Sequence, residues 1–338
     1  MARRTKRRID WNWLRSITET SLNDSGRFAG RVNVDGKMEW VESGLYHDNY
    51  RFKITGTDLQ KDWKEKTLML RIRSQKSPFR SADEAGSYLS REAKTLQQLK
   101  NAGFGFQTPE LICAVNVDSV HPVGLIETWI RGIPLTLYKG SIYHDRIIPT
   151  IAEAAVSVHQ LDTGQFDHLE AFGNSKAHIL NELSRLAPEI FKEYSAALRV
   201  KEWILSRLPE NRPSVVLHGD LLPQNILCHE SSEGWQVALI DWEFAEIGDP
   251  ASDLAIVTRG DRKLMGIPNG LDLLLKSYRR AGGIEFSTSD VRIHELLLGL
   301  NWLQESAEAE KKGRRHGHGP EYYEQRLTSL LRRAKKSK

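Results

Sequence analysis

The stretch SVVLHGDLLPQNILCHESSEGWQVALIDWEF, residues 214–244, decides how this chain folds. It contains an apolar run, a polar loop, a short strand, a Ser/Glu/Gly turn and a second apolar strand. Because the strand at 226–227 can pair with 237–240 across that turn, the stretch predicts a β-hairpin. The hairpin would return Asp241, at its far end, to the loop that begins at Asp220.

This arrangement brings together three oxygen-bearing side chains, Asp220, Asn225 and Asp241. Carboxylates placed between apolar runs are costly unless a metal ion or a reaction employs them. Mg²⁺ prefers hard oxygen ligands and keeps substrate phosphates in its shell, so Asn225 and Asp241 are predicted to hold it. Asp220 would then be free to orient a hydroxyl group. The alternative is that Asp220 and Asn225 only cap a turn.

Outside this stretch, the predicted secondary structure changes from mainly β to mainly helical near residue 130. Short β-type runs and one helix precede that point, and they predict a small antiparallel lobe over 36–130. Helical runs dominate afterwards and predict a larger lobe over 131–330. The sequence therefore predicts an α+β, bilobal architecture, with a basic leading segment at 1–35 and a basic tail at 331–338.

Composition and charge narrow the class of protein. The chain has 338 residues, 40% of them hydrophobic, and a formal net charge of +4. Ten of its 48 Lys and Arg residues lie in residues 1–8 and 331–338, so the stretch between them, which holds all 44 acidic residues, is slightly acidic. We therefore expect no nucleic acid partner, and no membrane insertion since no run of about 18 apolar residues occurs. Two distant cysteines and a basic start without an apolar stretch are typical of a cytoplasmic protein.

Two motifs in the opening stretch, HGDLLPQN at 218–225 and IDWE at 240–243, resemble the signature of the aminoglycoside phosphotransferase and choline kinase-like family. The resemblance implies a protein-kinase-like fold that binds ATP and Mg²⁺ between its lobes. It also implies that Asp220 is the catalytic residue. His218 and Asp253 match positions that give the catalytic loop structural support in that family.

The same resemblance, which spans about residues 40–310, extends to the small lobe. Arg71 closes a strand where kinases carry a phosphate-binding lysine, and Glu92 on the following helix is placed to pair with it. Arginine departs from the family pattern, because a planar guanidinium does not interchange with an ammonium. Arg73, two residues on and on the same face of the strand, is the alternative phosphate ligand.

Further nucleotide contacts are implied at two places. Gly44 lies in a loop with a single glycine, which allows close approach of the backbone to phosphate, although an ordinary turn explains it equally well. Glu127 and Trp129 lie in a segment that resembles the hinge, whose main chain holds adenine in the family.

The implied function is ATP- and Mg²⁺-dependent transfer of the γ-phosphate to a hydroxyl of a small molecule, either aminoglycoside-like or another amino alcohol or sugar. Acidic residues such as Glu243 and Glu305, with Trp242 and Trp302, would suit a cationic acceptor. Solvated helix faces and core aromatics are the competing interpretation. The alternative function is a non-catalytic nucleotide-binding regulator, which the arginine at position 71 would fit.

Overall fold

The structure is a computed structural model of the chain. It describes residues 10–41, 47–74, 82–116, 123–138, 144–209, 211–232, 234–260, 263–264, 267–313 and 317–336. Two compact units are present, and we call them the β unit and the helical unit. The β unit contains Met1–Asn101 and Thr108–Arg131, and the helical unit contains Ala102–Gln107 and Gly132–Lys338.

An antiparallel sheet forms the centre of the β unit. Its strands are β1 (Val32–Val41), β2 (His47–Gly56), β3 (Leu68–Arg73), β4 (Leu111–Val115) and β5 (Gly124–Thr128), in the spatial order β1-β2-β3-β5-β4. Successive side chains of a strand point to opposite faces, so Tyr50, Phe52 and Ile54 enter the core while Arg51 and Lys53 are exposed. The predicted antiparallel arrangement is confirmed by the pairing of β1 with β2 and of β2 with β3.

Helices complete the β unit: α1 (Trp11–Asp24), α2 (Lys61–Glu65) and α3 (Ala82–Asn101). Asp10 begins α1, because its carboxylate accepts hydrogen bonds from the N–H groups of Asn12 and Trp13. Leu14 and Leu22 of α1 are buried in the core formed by the strands. The leading segment 1–35 thus contains a helix that belongs to the core of the unit.

Helices dominate the helical unit. They are α4 (His144–His159), α5 (Ser175–Ser184), α6 (Pro188–Glu193), α7 (Ser195–Leu205), α8 (Ala251–Thr258), α9 (Gly270–Arg280), α10 (Thr288–Lys311) and α11 (Pro320–Ala334). Side chains of α5, α7, α10 and α11 share one apolar core, and α11 continues it to Ala334. The segment 331–338, predicted as a tail, therefore begins inside a helix. Among the described helices, none is both long enough and apolar enough to cross a bilayer.

The helical unit also contains short paired strands, which are joined by its loops. They are β6 (Ile133–Pro134), β7 (Val215–Leu217), β8 (Ile226–Ser231), β9 (Gly234–Leu239), β10 (Glu246–Gly248), β11 (Lys263–Leu264) and β12 (Ile267–Pro268). β6, β8 and β9 form one sheet, β7 pairs with β10, and β11 pairs with β12. Ile226 lies opposite Leu239 and Ser231 lies opposite Gly234, so the predicted hairpin is confirmed.

Candidate active site

The loop between β7 and β8 carries the residues predicted to do the chemistry. Gly219 has a φ of 76°, a left-handed conformation that glycine adopts without strain. A Cβ at this position would overlap the backbone carbonyl of Phe244, so the loop passes too close to that segment for any side chain. Glycine at position 219 therefore allows the sharp turn that precedes Asp220.

Asp220 and Asn225 are joined directly within this loop. The Asn225 Nδ2 donates to the Asp220 Oδ2 at 2.8 Å and to the Asp220 backbone carbonyl at 2.9 Å. The bond to the backbone carbonyl holds the loop, as the turn-capping alternative requires. The bond to Oδ2 orients the Asp220 carboxylate. Both bonds use the amide nitrogen, so the amide oxygen of Asn225 is left as an acceptor for a cation.

Asp241 follows β9 and returns to this loop. The Ile240 N–H donates to the Asn225 backbone carbonyl at 3.1 Å, which fixes the chain immediately before Asp241. The φ of Asp241 is 72°, a left-handed value that is uncommon for a residue with a side chain. Strained backbone of this kind persists where the surrounding structure holds it, most often at functional sites.

Burial and nearby charges change the pKa of Asp220 from its ordinary value. Burial raises the pKa of Asp220 most and the charge of Asp241 raises it further, while the charge of Arg259 and the Asn225 hydrogen bond oppose them, so the pKa is about 7. Two carboxylates that repel each other in a buried loop are stabilised by a cation. The Asp241 carboxylate and the Asn225 amide oxygen are the hard-oxygen donors that Mg²⁺ prefers, so these two residues fit that ion. Elsewhere among the described residues, no three His, Cys, Asp or Glu side chains converge as a metal site.

Asp253, in the first turn of α8, supports the backbone of the loop. Its carboxylate accepts the N–H of His218 at 2.9 Å and the N–H of Gly219 at 3.0 Å, and it lies 3.2 Å from the His159 Nε2. Burial by itself raises the pKa of Asp253, but the hydrogen bond and charge of His159 and the hydrogen bond from the His218 backbone outweigh it and keep the pKa below its ordinary value. Asp253 therefore stays ionised and holds two consecutive amides of the loop.

His218 is fully buried, and its ring packs against Trp242 with the ring centroids 4.4 Å apart. Burial lowers the pKa of His218, so the imidazole is neutral. Its Nδ1 accepts the N–H of Asp220 at 3.3 Å. This placement is that of a scaffold residue, which positions the Asp220 backbone.

Sequence reasoning missed a second buried network, centred on Asp249. An Arg212 Nη2 lies 3.1 and 3.3 Å from the two Asp249 carboxylate oxygens, and the His294 Nε2 lies 3.1 Å from one of them. Burial raises the pKa of Asp249, but the His294 hydrogen bond and the charges of His294 and Arg212 outweigh it, so the pKa lies well below its ordinary value. Arg212 and His294 are 37 and 45 residues from Asp249, so no local pattern could indicate the network.

Arg71 and Glu92 form a buried ion pair inside the β unit. Arg71 on β3 is 6% exposed and Glu92 on α3 is 0% exposed. Leu89, Leu96 and the other apolar residues of α3 are buried on the same helix, which turns Glu92 inward as well. Arg73 is only half-buried, so Arg71 is the cation that the helix holds. Its contact with phosphate stays a prediction.

Glu127 and Trp129 lie at the end of the β5 segment. Glu127 is buried in the strand. The Trp129 N–H donates to the Thr67 carbonyl at 2.8 Å, so this amide is already used within the sheet. A contact from this segment to adenine would therefore use its carbonyl groups or the residues after Trp129. Gly44 falls outside the described residues.

Trp242 and Trp302, which were considered as contacts for a cationic acceptor, lie in different surroundings. Trp242 is fully buried and Glu243 is buried next to it in the chain, so Trp242 fits the core-aromatic interpretation. Trp302 already has two cations of the chain near its ring, since the guanidinium carbons of Arg259 and Arg326 lie 5.9 and 5.1 Å from its centroid. Neither placement favours a cationic ligand.

Solved structures of phosphotransferases share this fold. Macrolide 2′-phosphotransferase type I has 18% identity and a TM-score of 0.63, over 97% of this chain and 98% of that one. The GDP and kanamycin complex of APH(2″)-IIIa has 14% identity and a TM-score of 0.65, over 96% and 99%. Choline kinase LicA from Streptococcus pneumoniae has 18% identity and a TM-score of 0.55, over 88% and 93%. The predicted protein-kinase-like fold is confirmed.

Sequence comparisons with curated proteins and with a family model identify the family of the chain. Acyl-CoA dehydrogenase family member 11 of Pongo abelii is 26% identical over 238 residues, which are 59% of this chain and 28% of that protein. Family member 10 of Mus musculus is 25% identical over 244 residues, which are 65% and 20%. The chain thus spans about a quarter of the length of these relatives. Residues 40–289, which include the Asp220, Asn225 and Asp241 loops, match the model of the phosphotransferase enzyme family, and the chain belongs to that family.

Proposed function

We propose that the chain is a small-molecule kinase that transfers the γ-phosphate of ATP, with Mg²⁺, to a hydroxyl group. The observation that carries this proposal is the direct contact between Asp220 and Asn225, with Asp241 returned to the same loop by the β8–β9 hairpin. Membership of the phosphotransferase family supports the reaction class. ATP and Mg²⁺ are plentiful in the cytoplasm, where we place the reaction.

In the proposed mechanism, Asp220 accepts a hydrogen bond from the acceptor hydroxyl and directs its oxygen at the γ-phosphorus. The acceptor oxygen bonds to that phosphorus while the bond from the phosphorus to the β,γ-bridging oxygen breaks, so ADP leaves. The hydroxyl proton passes to Asp220 and from there to solvent. Burial raises the pKa of Asp220 above its ordinary value, so its carboxylate is a stronger base than that of an exposed aspartate. Most of the acceleration comes from positioning.

The remaining site residues have proposed roles toward the metal and the nucleotide. Asn225 and Asp241 are the proposed Mg²⁺ ligands, and the ion supplies charge neutralisation for the phosphate oxygens when it is bound. Arg71, oriented by Glu92, is the proposed phosphate ligand. Gly44, Glu127 and Trp129 are the remaining proposed nucleotide contacts.

The test is nucleotide consumption, with and without Mg²⁺, in the presence of candidate hydroxyl acceptors: aminoglycosides, macrolides, choline, ethanolamine, sugars, sugar phosphates and hydroxy acids. ATP and GTP are both tried as donors, since one structural neighbour is a GDP complex. Asp220→Ala should lower kcat by about 10²-fold or more, because positioned acid–base groups contribute on that scale, and should leave nucleotide binding intact. Asp272→Ala, an exposed carboxylate at the start of α9, is the control and should retain activity.

The alternative function, a non-catalytic nucleotide-binding regulator, gives a different result. It requires that the protein bind nucleotide while wild type and Asp220→Ala turn over every acceptor at the same background rate. Turnover that survives in Asp220→Ala would remove the assigned role of Asp220. The dehydrogenase name of the curated relatives suggests no second function, because the chain covers only about a quarter of them.

A further inference from the structure

The end of α8 carries a cation close to the catalytic loop. Arg259 follows the last residue of α8 and adopts a left-handed conformation, with a φ of 46°. It comes six residues after Asp253, which is about 9 Å along a helix. Asp253 accepts the N–H groups of His218 and Gly219, the two residues that precede Asp220. Arg259 therefore follows the helix that holds the catalytic loop.

A second arginine is held next to Arg259 by α11. The Arg326 Nη2 donates to the Arg259 backbone carbonyl at 2.6 Å, and both guanidinium groups lie near the Trp302 ring. In the part of the chain that the structure describes, no carboxylate forms an ion pair with either arginine. Two cations on one indole repel each other, so an anion between them would be favourable.

A surface cavity opens at this point. Its volume is about 320 Å³, and it is lined by Gly260, Tyr322, Gln325, Arg326, Ser329 and Arg333. The lining offers two guanidinium groups, two hydroxyl groups and an amide, and none of these residues is acidic. The Arg333 Nη2 donates to the Gly260 carbonyl at 2.7 Å, which fixes this side of the cavity. A planar guanidinium matches carboxylate and phosphate oxygens better than any other side chain does.

We propose that Arg259 and Arg326, with the adjoining cavity, form an anion site for the acceptor, which is a hydroxyl compound that carries a phosphate or a carboxylate group. The hydroxyl lies at Asp220 and the anionic group lies at the two arginines. The choice of acceptor rests on the proposed kinase function, whereas the anion site rests on the geometry of the helical unit alone. A cationic amino sugar or quaternary amine would be repelled here.

The anion site is tested by calorimetric binding of matched pairs to the protein saturated with a non-hydrolysable ATP analogue, which occupies the nucleotide site. The pairs are glycerol phosphate with glycerol, and glycerate with glyceramide, so that the two arms distinguish phosphate from carboxylate. In at least one arm, we expect the charged member to bind roughly tenfold more tightly than its neutral partner, the scale of one charge-assisted hydrogen bond.

Variants identify the residues responsible. Arg259→Gln and Arg326→Gln should each remove most of the preference for the charged member, and Arg326→Lys should restore part of it because the charge returns. Arg207→Gln is the matched control, since its guanidinium carbon also lies near an indole, 5.0 Å from the Trp203 ring centroid, and it should change nothing. Thermal unfolding of each variant shows that it is folded.

The results that would overturn the anion site differ from those that would overturn the kinase proposal. Equal binding of charged and neutral members in both arms, or a preference that survives in both glutamine variants, would overturn the anion site. Phosphorylation of neutral acceptors more efficiently than of their charged partners would overturn it too, and would leave the kinase standing. An anion preference without any turnover counts against the kinase function and supports the site.

Discussion

Two residues at the active site share an unusual backbone conformation, and only one of them is a glycine. Gly219 and Asp241 have φ values of 76° and 72°. Glycine adopts this conformation without strain, whereas a residue with a Cβ is strained by roughly 1–2 kcal/mol. We propose that the role of the Asp241 carboxylate as a Mg²⁺ ligand accounts for a residue with a Cβ at this position. The surrounding hairpin offsets the strain.

Replacing Asp241 separates these two roles. Asp241→Gly and Asp241→Ala should both lose transfer activity, because both remove the proposed Mg²⁺ ligand. The glycine variant should be more stable than the alanine variant by about 1 kcal/mol, because alanine retains a Cβ in the left-handed region. Urea unfolding of the two variants measures the difference. Equal stabilities would show that the backbone at 241 relaxes once the carboxylate is gone.

At the scale of elements, β3 and α3 are joined by the buried pair of Arg71 and Glu92. This pair could be predicted, because both residues lie on elements whose periodicity is plain in the sequence. The β8–β9 hairpin could be predicted for the same reason, since its strand pairing, from Ile226 opposite Leu239 to Ser231 opposite Gly234, lies within one short stretch of the chain. The network of Arg212, Asp249 and His294 could not, because only the tertiary fold brings three distant elements together.

A double substitution tests what the β3–α3 pair does for stability. Arg71→Met leaves Glu92 buried without this cation and should lower the free energy of unfolding by about 3–5 kcal/mol. Arg71→Met/Glu92→Leu removes both charges and should recover most of that loss. Arg51→Met breaks an exposed pair with Glu39 and should cost less than about 1 kcal/mol. If the double variant is no more stable than Arg71→Met, the cost has a source other than unpaired charge.

At the scale of the whole molecule, the apolar cores include helices that lie outside the segment that matches the family. Residues 40–289 match the family, yet α1 precedes them and α11 follows them. Leu22 of α1 and Leu327 of α11 are both fully buried. α1 lies in the leading segment 1–35 and α11 crosses the predicted boundary at residue 331, and neither helix contains a motif. Only the packed core shows which apolar residues of these helices are buried.

Acid should destabilise the whole helical unit through Asp249. A carboxyl whose pKa is lower in the folded chain than in the unfolded chain stabilises the fold above its unfolded value of about 3.9, and this stabilisation is lost as the pH falls through the folded value. Arg212→Gln should therefore lower stability at pH 7 and reduce the further loss below about pH 4. Urea unfolding at several pH values measures both effects.

The control for this prediction is Arg199→Gln, which removes an exposed arginine of α7 from the same unit. It should leave the pH dependence of unfolding unchanged. An unaltered pH dependence in Arg212→Gln as well would show that Asp249 does not depend on Arg212 for its low pKa.

The last helix binds the backbone of the segment that follows α8, through Arg326 to the Arg259 carbonyl and Arg333 to the Gly260 carbonyl. During synthesis these two arginines leave the ribosome after the catalytic loop, and chains begin to fold from their first residues. The segment that follows α8 is therefore fixed only after α11 has left the ribosome. A chain that stops short of α11 would carry every family motif and still lack these two contacts, so we expect such truncated chains to be inactive.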